Sequence, residues 1–126
     1  MVCANPDFTV MLADGKMAHM PGKIAQRYEE LGGSCNRFGK PHQPHFEACI
    51  RQLGIPRDKV VHVGDSLHHD IAGANAVGIA SVFVVGGVHS EELCSETRKI
   101  PPRKTLDEVF AKHKQTPTHV VPLFRL

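Results

Sequence analysis

The sequence predicts an α/β fold in which a parallel sheet is flanked by helices. Short apolar runs alternate with helical patterns along the chain, and two of these runs, residues 60–63 and 79–85, are almost continuously apolar. Both runs end at a glycine, Gly64 and Gly86. Continuous apolar strands are typical of sheets buried on both faces, and alternation of strands with helices favours parallel pairing. Because residues 79–85 form the most apolar run, we expect them to be a central strand.

The first third of the chain predicts a strand, a turn and a helix. Residues 8–12 predict the strand, and Asp14-Gly15 is a strong signal for a hairpin turn. Residues 22–31 predict a helix that ends at Gly32-Gly33. Its expected inward face consists of Ile24, Ala25, Tyr28 and Leu31. A short strand over residues 35–39 then leads to Lys40.

The remaining elements follow the same alternation. Residues 44–53 predict a second helix, because Phe46, Cys49, Ile50 and Leu53 follow helical spacing. A third helix is expected from about Leu67 to Val77, and another from Ser90, where an N-cap residue and acidic first-turn residues occur. A loop over residues 99–104, a helix over 106–113 and a strand over 119–121 complete the prediction.

Composition excludes several classes of function. The chain has 126 residues, is 41% hydrophobic and carries a net charge of +2, which gives no reason to expect nucleic acid or an anionic membrane as a partner. No apolar run approaches the ~18 residues that a membrane span needs. The four cysteines lack CxxC spacing, which favours free thiols in a reducing compartment. We therefore expect a cytoplasmic protein.

Nine histidines are many for a chain of this length. His42 and His45 have HxxH spacing, and His68 and His69 are adjacent. Metal-binding histidines usually come with a second pair or with cysteines at motif spacing, and neither is present. Most of these histidines are therefore predicted to be surface or loop residues.

Three charged residues form the candidate site. Lys40 and Asp65 each follow a predicted strand, and ligands of parallel α/β sheets lie beyond the carboxyl ends of the strands. Asp70 follows in the first turns of the next helix. Carboxylates beside a glycine-containing turn suit Mg²⁺, and a lysine can hold phosphate by its charge. From spacing alone, a helix-capping Asp65, an exposed first-turn Asp70 and a solvated Lys40 remain open alternatives.

The motifs around these residues resemble a known superfamily. Gly39-Lys40-Pro41, followed by residues 63–74 (VGDSLHHDIAGA), is similar to motifs III and IV of the haloacid dehalogenase (HAD) superfamily. Residues 78–79 and 84–88 resemble the region after motif IV in its class IIA branch, which includes NagD-like and 4-nitrophenyl-phosphatase-like enzymes. Residues 4–7 (ANPD) resemble a cap-domain segment of that branch, and residues 117–119 resemble the tail of one HAD subgroup.

The resemblance implies a partial HAD Rossmann-like core preceded by the tail of a class IIA cap. Residues 1–33 would be the last piece of the cap, and residues 34–126 the second half of the core. Lys40 would be the catalytic lysine and would also contact phosphate, while Asp65 and Asp70 would belong to a Mg²⁺ site. Asn5 and Ser66 are further candidates for contact with a small phosphorylated metabolite, although Asn5 could equally hold a turn.

The chain departs from the superfamily at its nucleophile. HAD enzymes use a DxD motif, and no two aspartates of this chain lie two residues apart. Asp14 precedes a glycine, but a hairpin turn explains it fully. We therefore expect a truncated phosphatase that is inactive alone and that associates as an oligomer or with a missing N-terminal half. The alternatives are a non-catalytic phosphate- or Mg²⁺-binding module and, more weakly, an unrelated receiver-like α/β domain.

Overall fold

The computed structural model describes residues 1–12, 14, 16–93 and 99–124. Its strands and helices alternate along the chain as follows. They are β1 (Val2–Cys3), β2 (Thr9–Met11), β3 (Met17–His19), α1 (Pro21–Glu30), β4 (Asn36–Arg37), α2 (Gln43–Leu53), β5 (Val61–Gly64), α3 (Ala72–Val77), β6 (Ala80–Val84), α4 (Arg103–His113) and β7 (His119–Val121). A 3₁₀ turn, Arg57–Lys59, precedes β5, and one π-helical turn, Leu67–Ile71, precedes α3.

The main sheet has three parallel strands in the order β5–β6–β7. Val63 lies opposite Val82, and Phe83 lies opposite Val120. The α/β prediction is confirmed, and the apolar run over residues 79–85 supplies the middle strand. The carboxyl ends of β5 and β6 therefore lie side by side, which brings together the loops that begin at Asp65 and Val85.

The expected turn at Asp14 joins β2 to β3 as an antiparallel hairpin. The Leu12 amide donates to the Lys16 carbonyl at 2.8 Å, and the Lys16 amide donates to Oδ1 of Asp14 at 3.0 Å. Ala13 and Gly15 lie outside the described residues. Asp14 thus holds a turn, as its Asp-Gly sequence predicts.

The strand before Lys40 does not join the three-stranded sheet, contrary to expectation. This strand, β4, pairs in parallel with β1, so that Cys3 lies opposite Arg37. The N-terminal ammonium of Met1 also donates to the Ser34 carbonyl at 2.7 Å. Because β4 has only two residues, it forms few hydrogen bonds, and in the structure these are made with β1. The division of the chain at residue 33 stays a prediction.

Two clusters of buried apolar side chains hold the helices in place. One consists of Leu67, Ile71, Phe83, Val85, Leu93, Leu106, Val109 and Phe110, and the other of Phe46, Ala74, Val77 and Ile79. Gly73 is needed in the second cluster, because a Cβ there would lie 2.0 Å from the ring of Phe46. Close contact between α2 and α3 therefore depends on this glycine.

The predicted inward face of α1 is largely wrong. Ala25 is fully buried, but Ile24 and Leu31 are 67% and 70% exposed. The helix packs against the segment that contains Pro6 through its small residues. A Cβ on Gly22 would lie 2.0 Å from the Pro6 carbonyl oxygen. In α2, Phe46 is buried as expected, whereas Leu53 is 57% exposed.

Two helix predictions differ in detail from the structure. The third helix begins as the π-helical turn, where Ser66 Oγ accepts a hydrogen bond from the His69 amide at 3.2 Å. Residues 90–93, where another helix was expected to start, form turns, and residues 94–98 lie outside the described residues. In the described part of the chain, no helix is long and apolar enough to cross a bilayer.

Candidate functional site

Lys40, Asp65, Ser66 and Asp70 come together beside the carboxyl end of β5. Asp65 and Ser66 directly follow this strand, and the π-helical turn returns Asp70 to it. Lys40 approaches from the loop after β4 and donates to Oδ1 of Asp70 at 2.8 Å. The two motifs that the sequence singled out are therefore in direct contact.

The Asp70 carboxylate is buried, with its side chain 3% exposed, and binds three donors. Besides Lys40, Nε2 of His62 lies 2.9 Å from Oδ1, and the Ser66 amide donates to Oδ2 at 3.0 Å. Because a carboxylate only accepts, the His62 nitrogen carries the proton. Burial raises the pKa of Asp70, but these three hydrogen bonds outweigh it and hold that pKa well below its usual range. Asp70 is thus a charged anchor for Lys40.

Gly64 makes room for this anchor. A Cβ at that position would lie 2.2 Å from Cγ of Asp70. A glycine at this turn predicts the close approach of a ligand, but in the structure the space beside Gly64 is filled by the aspartate. A side chain on residue 64 would therefore displace the Asp70 carboxylate.

Asp65 is half-buried and is held by the loop that follows β6. Its Oδ2 accepts a hydrogen bond from the Val88 amide at 3.0 Å. Gly87 permits this approach, since a Cβ there would lie 2.1 Å from the same oxygen. Among the described residues, Oδ1 of Asp65 has no hydrogen-bond partner. One oxygen is thus fixed by the backbone, and the other is available to a ligand.

The donor chemistry at Asp65 fits Mg²⁺, which takes one or two carboxylates together with water and phosphate oxygens. Both oxygens of Asp70 already contact protein donors. These contacts suit a supporting acid, because they hold Lys40 and the backbone of Ser66, the residue after Asp65. A role for Asp70 as a direct ligand stays a prediction.

A polar cleft of about 300 Å³ opens beside Lys40. Its lining consists of Ala4, Asn5, Pro6, Asp7, Gly39, Lys40 and His45. Asn5 Oδ1 accepts from the Asp7 amide at 3.1 Å, which is the turn that Asn-Pro-Asp predicts. Across the cleft, the Lys40 side chain is 46% exposed, so its ammonium is accessible to a ligand.

Ser66 has local partners for its hydroxyl. In addition to the His69 amide, Nδ1 of His69 lies 3.3 Å from Oγ. Nε2 of His69 in turn lies 3.5 Å from the Asp7 carboxylate, which connects the motif around Ser66 to the cleft. Contact of Ser66 or Asn5 with a substrate stays a prediction.

Sequence reasoning missed two groups of histidines. His62 contacts Asp70, and its signal was present, because it is the only polar side chain in the run 60–63. His89 and His113 both contact Glu92, and His89 is only 8% exposed. His89 lies in the loop after β6, which agrees with the expectation of surface or loop histidines, but it is buried there and not at the surface. No motif spacing links it to His113, so only the fold reveals the pair.

Comparison with known proteins decides the family. The sequence profile of the HAD-hydrolase-like family matches residues 37–122. This chain belongs to the HAD-hydrolase-like family. The resemblance noted in Lys40 and in the segment from Asp65 to Asp70 is thereby confirmed at the level of the family.

Phosphatases are among the relatives of this HAD chain. It is 33% identical over 87 residues to the glyceraldehyde 3-phosphate phosphatase of Methanopyrus kandleri, covering 64% of this chain and 35% of that protein. It is 30% identical over 63 residues to the glyceraldehyde 3-phosphate phosphatase of Methanocaldococcus jannaschii, covering 50% of this chain and 25% of that protein. The chain thus spans about a third or less of these curated relatives.

Solved HAD structures match almost the whole fold. The p-nitrophenyl phosphatase of Archaeoglobus fulgidus superposes with a TM-score of 0.73 at 25% identity, covering 97% of this chain and 42% of that one. A HAD-superfamily protein of Cytophaga hutchinsonii, named as a possible sugar phosphatase, gives a TM-score of 0.71 at 26% identity, covering 99% and 42%. The chain therefore corresponds to a C-terminal region of class IIA HAD phosphatases.

Proposed function

We propose that this chain is the phosphate- and cation-binding part of a Mg²⁺-dependent phosphatase that hydrolyses small phosphomonoesters. One observation carries the proposal. The exposed ammonium of Lys40 borders a polar cleft and is held 2.8 Å from Asp70. Asp70 lies five residues after Asp65, whose Oδ1 has no hydrogen-bond partner among the described residues. A lysine and a cation-binding carboxylate on one phosphate site are a common solution for phosphoryl transfer.

Each residue of the site has a separate task in this proposal. Lys40 binds phosphate oxygens, while Asp70 keeps its ammonium in place. Asp65 holds Mg²⁺, which when bound supplies positive charge against the transferring phosphoryl group. Asn5, which lines the cleft, and Ser66, which is connected to the cleft through His69 and Asp7, contribute polar contacts to the substrate. Lys40 is the residue of this chain to which we assign a catalytic role.

The substrate class is that of small phosphorylated metabolites, such as sugar or nucleoside phosphates. The cleft of about 300 Å³ is at the lower end of the size of small-molecule sites. Relatives named for glyceraldehyde 3-phosphate and p-nitrophenyl phosphate support a small phosphomonoester. We propose no nucleic-acid or membrane partner, in keeping with the small net charge of +2.

The covalent step needs a group that this sequence does not contain. No DxD segment occurs in the 126 residues, and Asp14 is engaged in the hairpin turn. The nucleophilic aspartate and its companion acid would come from polypeptide outside this sequence, either in the same protein or in an associated N-terminal half. The isolated 126-residue chain should therefore have negligible turnover.

The test is hydrolysis of p-nitrophenyl phosphate with Mg²⁺. We expect negligible activity from the 126-residue chain and Mg²⁺-dependent activity after it is joined to the upstream part of a HAD phosphatase carrying the DxD motif. Lys40→Ala in the joined protein should abolish the gain, whereas Lys104→Ala, at an 88% exposed side chain, should not. Robust hydrolysis by the 126-residue chain would contradict the proposal.

A second candidate is a non-catalytic module that binds phosphate or Mg²⁺. The observation that favours it is the combination of a formed Lys40–Asp70 pair with the lack of any DxD segment. This candidate predicts phosphate binding by the chain as it stands and no gain of activity in the joined protein. The same assay therefore separates the two functions.

A further inference from the structure

A cluster of ionisable side chains lies outside the proposed cation site. Glu92 is at its centre, with Nδ1 of His89 at 2.9 Å and Nε2 of His113 at 2.9 Å from Oε2. Lys112 forms an ion pair with the other oxygen. Hydrogen bonds from Lys112, His89 and His113 lower the pKa of Glu92 to about 2. The carboxylate is therefore ionised throughout the physiological range.

The hydrogen bonds assign the protons on His89. The Leu67 amide donates to Nε2 of His89 at 3.2 Å, so this nitrogen accepts and carries no proton. In the neutral ring the proton then lies on Nδ1, which donates to Glu92. Both ring nitrogens are used, and the side chain is 10% exposed. Glu92 thus fixes one tautomer of a nearly buried imidazole.

These assignments argue against a metal ion between the three side chains. Ligand atoms of His89, Glu92 and His113 lie within 4.8 Å of one another, a spacing that a transition metal could bridge. Coordination through Nδ1 of His89 would move the ring proton to Nε2. There it would oppose the Leu67 amide, and two donors would face each other. The proton-bonded cluster accounts for every one of these contacts.

His89 and its neighbour hold the loop that carries Asp65 at two points. The Val88 amide binds Oδ2 of Asp65 at 3.0 Å, and the next residue, His89, binds the Leu67 amide. Asp65 and Leu67 are the two ends of a three-residue segment. The turn after β6 therefore fixes both the Asp65 carboxylate and the backbone of Leu67. Gly87 permits the close contact between this turn and Asp65, because it has no side chain.

We propose that His89 is a positioning residue for the cation site: held by Glu92, it accepts the Leu67 amide and so orients Asp65 towards Mg²⁺. This inference rests on the proposed function. Groups behind a metal ligand commonly change metal affinity when they are removed. His89 would act through the loop and would not touch the ion or the substrate.

The test uses Mn²⁺ as a paramagnetic substitute for Mg²⁺ and the 126-residue chain itself. His89→Leu removes the acceptor, whereas His89→Gln places an amide oxygen within reach of the Leu67 amide. We expect Mn²⁺ affinity to fall about tenfold in His89→Leu and to stay close to wild type in His89→Gln. His119→Leu, at an exposed position of β7, is the matched control and should change nothing.

Nuclear magnetic resonance gives an independent readout of the same contact. The ¹⁵N signals of the wild-type His89 ring should show the Nδ1-protonated tautomer, and the Leu67 amide signal should shift in His89→Leu but much less in His89→Gln. The opposite tautomer would overturn the inference. So would Zn²⁺ that binds the wild type and shifts the ring signals of His89 and His113.

Failure of this inference is distinguishable from failure of the proposed function. If Mn²⁺ binds wild type through Asp65 and His89→Leu binds it equally well, only the inference is wrong. If Asp65→Asn binds Mn²⁺ as tightly as wild type, the proposed cation site is wrong. Should His89→Leu fail to fold, His89→Asn replaces it, because its side chain is polar but too short to reach Leu67. Unchanged Mn²⁺ affinity in His89→Asn would then overturn the inference.

Discussion

The Lys40 ammonium lies 2.8 Å from Oδ1 of Asp70, although the two residues are 30 positions apart in the chain. This pair connects the loop after β4, beside the polar cleft, with the helical turn after β5. Asp70 is almost fully buried, whereas Lys40 is half exposed. The exposed ammonium is thus held on a buried anion, and it can meet a ligand without leaving its partner.

Lys40→Ala should reduce phosphate binding strongly and stability moderately. His62 and the Ser66 amide would remain on Asp70, so the buried carboxylate would keep two of its three donors. We expect a loss of about 1–2 kcal/mol in the free energy of unfolding, since Lys40 is partly solvated. Urea unfolding and titration with inorganic phosphate measure the two effects.

The control for this change is Lys104→Ala, which removes an 88% exposed ammonium. It should alter neither quantity. Phosphate affinity that is the same in Lys40→Ala and wild type would show that the ammonium serves the fold alone.

Asp70→Asn should make stability less dependent on acid. The pKa of Asp70 is lowered in the folded protein, so its charge stabilises the fold above the unfolded pKa of about 3.9. That contribution is lost as pH falls from there through the lower folded pKa. At neutral pH, urea unfolding without divalent cations should therefore give a higher free energy of unfolding for wild type than for Asp70→Asn. This difference should narrow as pH falls below about 4.

Asp107→Asn provides the comparison, because Asp107 is 53% exposed and, among the residues that the structure describes, pairs only with Arg103 on α4. The free energies of unfolding of Asp107→Asn and wild type should differ little at every pH. If the difference in free energy of unfolding between wild type and Asp70→Asn stays constant from neutral pH to strong acid, the Asp70 charge does not stabilise the fold as proposed.

Much of the fold follows from local pattern, and the middle strand illustrates why. Residues 79–85 are almost continuously apolar, which is typical of a strand whose two faces are both buried. The structure agrees, because β6 lies between β5 and β7. The inward face of α1 was not predictable in this way. Its apolar Ile24 and Leu31 are exposed, while the contact side uses Gly22 and Ala25, and small residues carry little hydrophobic signal.

The site was predictable where sequence order and strand ends coincide. Asp65 follows β5 directly, so topology alone predicts its place. The pairing of Lys40 with Asp70 needed the fold, because β4 pairs with β1 and not with the main sheet. The cluster around Glu92 was missed for a similar reason: His113 lies 21 residues further along the chain, and tertiary packing alone brings it back.

Gly64→Ala should destabilise the protein through Asp70. The added methyl would lie 2.2 Å from Cγ of that side chain, so the carboxylate must shift and weaken its hydrogen bonds. We expect a loss of about 1–3 kcal/mol in the free energy of unfolding. The change should cost clearly less in an Asp70→Gly background, where Cβ, Cγ and Oδ2 of residue 70, the three colliding atoms, are all gone. Equal costs in the two backgrounds, measured by a double-mutant cycle, would show that the collision is not the cause.

The central claim is that Asp65 holds the divalent cation, and titration of wild type and Asp65→Asn with Mn²⁺ tests it most directly. A neutral amide is a poor ligand for a hard cation, so affinity should fall by at least about tenfold. The thermal midpoint should change little, because the substitution keeps the shape of the side chain and its contact with Val88. Asp58→Asn, at a 73% exposed side chain, should bind like wild type. Equal Mn²⁺ affinity in wild type and Asp65→Asn would contradict the account and place the cation on another group.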